Sequence, residues 1–97
     1  MKIEGLENEN QQDVAEMTAR LNGLLEKAPS DSTATLLIRK DGNDYQGLLK
    51  IRSLHNKFVS ACRSSNFKQM VESIIRDTKR QLDDWKRERP ADLSYSS

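Results

Sequence analysis

The sequence predicts an α+β domain in the order β-α-β-β-β-α, with a four-stranded mixed sheet and two helices packed on one of its faces. Three observations predict it. Two segments carry apolar residues at spacings of three and four, the mark of a helix with one buried stripe. The chain between them holds three short segments that alternate or are rich in β-branched residues, separated by turn residues. Each helix has a single stripe to bury, which places both on the same side of the sheet.

Met1 to Leu6 (MKIEGL) alternates weakly and reads as a short first strand. Asn8 or Asn10 can cap the helix that follows, with acids near its first turn, where they suit the helix dipole. Val14, Met17, Leu21, Leu24, Leu25 and Ala28 form its stripe, so the spacing predicts a helix over Asn10 to Ala28. Gly23 weakens it by about 1 kcal/mol relative to Ala, and Pro29 with the following SDS run ends it.

Thr33 to Lys40 (TATLLIRK) reads as the next strand, with Ala34, Leu36 and Ile38 on one side. Asp41-Gly42-Asn43-Asp44 is a turn whose Gly and Asn tolerate the positive φ of a tight hairpin. Tyr45 to Leu54 (YQGLLKIRSL) puts Leu49 and Ile51 on one face and Lys50 and Arg52 on the other, His55-Asn56 turns, and Lys57 to Ser64 (KFVSACRS) is the last strand. An antiparallel sheet covered on one face leaves the other wet, which accounts for Lys50 and Arg52 without any function. A strand-helix-strand start makes the first two strands parallel through a right-handed crossover.

Ser65 to Arg89 (SNFKQMVESIIRDTKRQLDDWKRER) is the strongest helix in the chain. Phe67, Met70, Val71, Ile74, Ile75, Thr78, Leu82 and Trp85 make its stripe, Ser65 can cap it, and Pro90 cannot continue it. Its polar surface is sorted by sign. With Phe67 at zero, Lys68, Lys79 and Lys86 fall at roughly 100–120°, and Arg76, Arg80 and Arg87 at roughly 180–220°. Asp77, Asp84 and Glu88 gather on the opposite flank. This is either an ordinary solvated face with helical ion pairs such as Asp83–Arg87, or a ridge of cations offered to a polyanion. From Pro90 onward PADLSYSS has no periodicity and reads as a disordered tail after one domain over residues 1–89.

Length and composition narrow the function. Ninety-seven residues support one domain with a modest core. No apolar run approaches the roughly 20 residues of a membrane span, and no signal-peptide pattern opens the chain, so a cytoplasmic protein is expected. The net charge of +1 conceals an asymmetry: residues 1–38 balance to −4 and residues 39–89 to +6. An anionic partner suits that split. Cys62, the only cysteine, has no metal-site spacing around it and reads as a buried thiol. His55, the only histidine, sits at a turn with no nucleophile motif beside it. Gly42 and Gly47 lack the strand–loop–helix context of a phosphate loop. Neither an enzyme nor a metal or cofactor site is expected. Trp85 and Tyr45 could stack on bases, but Trp85 belongs to the apolar stripe, which assigns it to packing.

The element order and the closing segment resemble the ribosome hibernation-promoting factors, also called ribosome-associated inhibitors or sigma-factor modulation proteins, in their short form. The likeness is most specific over Ser60 to Lys86 (SACRSSNFKQMVESIIRDTKRQLDDWK), where Arg80-Gln81-Leu82 is similar to the family's Arg-Gln-Leu, and Val71 and Ile74 to its apolar positions. Val14-Ala15-Glu16 and Arg20-Leu21 look like its first helix. The resemblance covers residues 1–89 in outline and about a third of the chain in sequence. It implies a fold like that of double-stranded-RNA-binding domains. It also implies binding to rRNA in the decoding channel of the small ribosomal subunit, where mRNA and tRNA are excluded and translation stalls in starvation. No membrane and no small-molecule substrate enter.

Basic residues on both helices would then meet phosphates. Arg20, Arg80 and Lys86 stand at matching basic positions, and the candidate RNA-binding set is Arg20, Lys27, Lys68, Arg76, Lys79, Arg80, Lys86 and Arg87. Met17 and Asp84 occupy places where the family often has a cation, and Lys68 replaces an aromatic residue, so the first helix is poorer in positive charge. A protein-interaction module on the same scaffold, using the acidic first helix or the open sheet face, is the alternative function.

Overall fold

Alternation along three long strands gives a sheet with one dry face. The computed structural model describes residues 2–5 and 10–88. Its elements run β1 (Lys2–Glu4), α1 (Gln11–Leu25), β2 (Thr33–Asp41), β3 (Asp44–Arg52), β4 (Lys57–Ser64) and α2 (Phe67–Glu88). The strand order in the sheet is β1-β2-β3-β4. β1 and β2 are parallel, joined through α1, and the other neighbours are antiparallel, so the sheet is mixed and the fold is the α+β arrangement expected. Ala34, Leu36 and Ile38 of β2, Leu49 and Ile51 of β3 and Phe58 of β4 are buried on the helix side.

The stripe of α2 meets that face. Phe67, Met70, Val71, Ile74, Ile75, Thr78 and Leu82 are buried. Trp85 is half-buried and meets Phe58 edge-on, ring centroids 6.1 Å apart and planes at 78°. Tyr45 meets Phe67 in the same manner at 5.7 Å. At about 1.5–3 kcal/mol for each fully buried large aliphatic, this stripe outweighs any surface pair on the helix. It is what holds α2 down. The approach is close over β3, where a Cβ on Gly47 would lie 2.4 Å from Met70 Sδ. Met17, Leu21 and Leu24 of α1 complete the same core.

Several element ends differ from the sequence expectation. The α2 cap is Asn66, not Ser65: Asn66 Oδ1 accepts from Gln69 N at 3.1 Å, and the Ser64 hydroxyl accepts from Asn66 N. With Phe67 as the first helical residue, only the side chain just before it reaches the N–H two residues further on. Asn10 caps α1, accepting from Gln12 N and Asp13 N. That helix stops at Leu25 rather than Ala28, because Lys27 N and Ala28 N donate to Leu24 O and Leu25 O in a tightened last turn. β2 runs one residue further, to Asp41, and β3 spans 44–52 instead of 45–54. Ser53 N donates to Asn56 O at 2.8 Å, closing the turn before Leu54 can pair. Gly42 alone takes the positive φ of the β2–β3 hairpin, 65°, as in a loop with glycine at its first central position. Cys62 is half-buried against the core rather than fully buried. Arg89 and the segment 90–97, expected as helix end and tail, lie outside the described residues.

Candidate nucleic-acid interface

With its stripe on the sheet, α2 turns its opposite side to solvent. Arg76, Lys79, Arg80, Lys86 and Arg87 are all exposed there, and two acids share their arc, Asp83 among them and Glu72 one turn before Arg76. From Arg76 to Arg87 the ridge runs about 16 Å at 1.5 Å per residue.

Ion pairs divide the eight candidate cations into two groups. Four of them are engaged. Arg20 of α1 and Glu72 of α2 form a two-pronged pair, with Arg20 Nη2 donating to Glu72 Oε1 at 3.1 Å. Lys68 lies 3.7 Å from Asp13 of α1. Arg80 donates to Asp77 at 2.6 Å, and Arg87 pairs with Asp84 rather than with the Asp83 expected from sequence. Carboxylates three and four residues back both lie within reach of an arginine on a helix, and here the nearer one in sequence accepts. Lys27, Arg76, Lys79 and Lys86 have no ion pair among the described residues.

The engaged cations do two different things. Asp13–Lys68 and Arg20–Glu72 bridge α1 and α2 over a small groove containing Met17, Phe67 and Val71, and advance along both helices in the same sense. The Arg20 guanidinium holds the Glu72 carboxyl below the usual carboxylate range, and Glu72 raises Arg20 in turn. Arg20 and Lys68 are thereby drawn toward the helix–helix seam. Asp77 and Asp84 sit on the α2 flank and draw the Arg80 and Arg87 guanidiniums toward it, one turn back along the helix. The Arg80 guanidinium pulls the Asp77 carboxyl below its ordinary range. Exposed pairs of this kind are weak and exchange readily for a phosphate, because water already screens them.

The structure thus brings Arg76, Lys79, Arg80, Lys86 and Arg87 onto one outward face, diverts Arg20 and Lys68 to the seam, and leaves Lys27 in the turn after α1. Pairs between residues 52 or more positions apart could not be read from helical spacing. A second set of cations without ion pairs among the described residues, Arg39, Lys50, Arg52 and Lys57, lies on the sheet face away from the helices. Sequence alternation had already placed Lys50 and Arg52 there. His55 is exposed at its turn, and among the described residues no group of three or more metal-ligating side chains converges. No helix among them is long and apolar enough to cross a membrane.

No protein-family model matches the chain, and no curated protein matches it in sequence. Solved structures do match in fold. The N-terminal domain of Thermus thermophilus Protein Y superimposes with a TM-score of 0.71 at 8% identity, over 88% of this chain and 99% of that one. A ribosomal subunit interface protein from Coxiella burnetii gives 0.63 at 10% identity, over 89% of this chain and 98% of that one. The chain therefore shares its fold with a Protein Y domain and a ribosomal subunit interface protein.

Proposed function

We propose that this protein is a non-enzymatic, cytoplasmic ribosome-associated factor that lays the outward face of α2 against rRNA phosphates of the small subunit and so restrains translation. The observation that carries this reading is the one-sided ridge of α2, five exposed cations on an arc that holds two acids, Glu72 and Asp83. The shared fold with a ribosomal subunit interface protein supports it, as does the sequence resemblance to hibernation-promoting factors.

Binding of this type needs position, not base readout. A rigid helix fixes its cations at helical intervals, phosphate contacts set orientation, and counterion release supplies the free energy. Asp77 and Asp84 hold Arg80 and Arg87 in exposed pairs that phosphate oxygens can replace. The test is co-sedimentation of the purified protein with small subunits across a salt series. The protein pelleting at low salt and releasing steeply as salt rises supports the reading. Recovery only in the supernatant at low salt refutes it.

A further inference from the structure

We infer that the open face of the sheet is a docking site for an acidic amphipathic segment of another protein. This site lies on the opposite side of the molecule from the helices and does not depend on the ribosome reading. Cross-strand register arranges the face as rungs. Leu37 pairs with Leu48, and Leu48 with Ala61, so one aliphatic rung crosses β2, β3 and β4. On one side of it runs Arg39–Gln46–Arg63; on the other run Thr35–Lys50–Val59 and Thr33–Arg52–Lys57. Leu37 and Val59 are 39% and 40% exposed, the highest values for large apolar side chains in the sheet. A shallow concavity of about 740 Å³ opens over the aliphatic rung.

The chemistry of the face selects its occupant. Arg39, Lys50, Arg52 and Lys57 have no ion pair among the described residues, whereas Arg63 is held by Asp41 and Asp44, and Lys2 by Glu4. Glu4, at the aliphatic strip's β1 end, is engaged by Lys2. Among the described residues, Arg39 therefore stands without an ion pair on one side of the strip, and Lys50, Arg52 and Lys57 on the other. That is the complement of an aliphatic row bordered by carboxylates. The aliphatic rung crosses three strands, about 10 Å at roughly 4.8 Å per gap, which seats about two turns of a helix laid across the strands. A single-stranded nucleic acid fits less well, because no residue on these rungs is aromatic and bases bind open sheets by stacking. A second copy placed face to face would oppose like charges.

The test is an NMR titration of the full chain with a synthetic helical peptide of about 14 residues, leucines on one side and glutamates flanking them. Its lysine-flanked counterpart and an oligouridylate serve as the other probes. The inference expects the acidic peptide alone to shift Leu37, Leu48, Val59 and Ala61, and Lys50→Glu/Arg52→Glu to weaken it by about tenfold or more. That variant changes only exposed side chains, so it keeps the fold, checked by its unchanged amide spectrum away from β3. Absence of shifts on these strands with the acidic peptide overturns the inference. Oligouridylate shifting the same residues and displacing the peptide overturns it in favour of RNA, and self-association through this face overturns it in favour of a second copy.

Discussion

Gln81 of α2 donates its side-chain Nε2–H to the backbone oxygen of Val59 at 2.8 Å. β4 is an edge strand, so that carbonyl faces outward with no neighbouring strand to satisfy it. The same amide donates to Asp77 Oδ2 at 2.9 Å, and Asp77 also receives Arg80. The three residues of Arg80-Gln81-Leu82 thus face three ways: Arg80 to solvent, Gln81 to the sheet edge, and Leu82 into the core at 1% exposure. Two of the three serve the fold.

Gln81→Ala uncovers the edge carbonyl. Loss of one such hydrogen bond lowers stability by about 1 kcal/mol, read as a lower midpoint in urea unfolding. Sedimentation at rising protein concentration should also show more self-association, since an uncapped edge can pair with another. Unchanged stability and association would mean that the amide contact contributes nothing.

The hydroxyl of Thr78 is buried at 2% exposure and finds no hydrogen-bond partner among the described residues. Thr78→Val keeps the branched shape and removes that polar atom, so stability should rise by about 1 kcal/mol. A drop in unfolding free energy would show that the hydroxyl is satisfied.

Gly5 holds the end of β1 against β2. Its φ is 94°, and a Cβ there would lie 1.8 Å from Ile38 O, a backbone atom that cannot swing aside. Gly5→Ala should cost about 1–3 kcal/mol and speed amide exchange in Lys2–Glu4 and their partners Thr35–Leu37. Exchange rates equal to the parent's would refute the close approach.

Asp77 makes stability depend on pH. Arg80, the strongest influence on it, depresses its pKa in the folded state. A carboxyl so depressed adds stability above its unfolded pKa and loses it as pH falls through the folded value. Asp77→Asn should therefore be less stable than the parent at neutral pH, with the gap closing below roughly pH 4. A gap that persists in acid would assign the effect to packing.

Much of this architecture could be read from residue spacing, because a single stripe on each helix and a Gly-Asn turn leave few alternatives. The stripe from Phe67 to Trp85 needed no tertiary information. Choosing Asn66 over Ser65 as cap did, since both side chains can accept and only the observed start at Phe67 separates them. Arg20 shows the limit most clearly. Helical spacing marks it as an exposed cation, yet its partner Glu72 comes from a helix 52 residues away. Gly5 carried no signal either, as its need for a bare Cα arises only when β1 lies on Ile38.

The most direct test of the ridge on α2 is the salt dependence of binding to small subunits for the parent and for Arg76→Glu/Lys79→Glu/Lys86→Glu, three exposed positions without ion pairs among the described residues. The ridge predicts weaker binding by the variant at every salt concentration, and a log–log slope shallower by about two to three for the three lost phosphate contacts. A variant that binds with the parent's affinity and slope contradicts it.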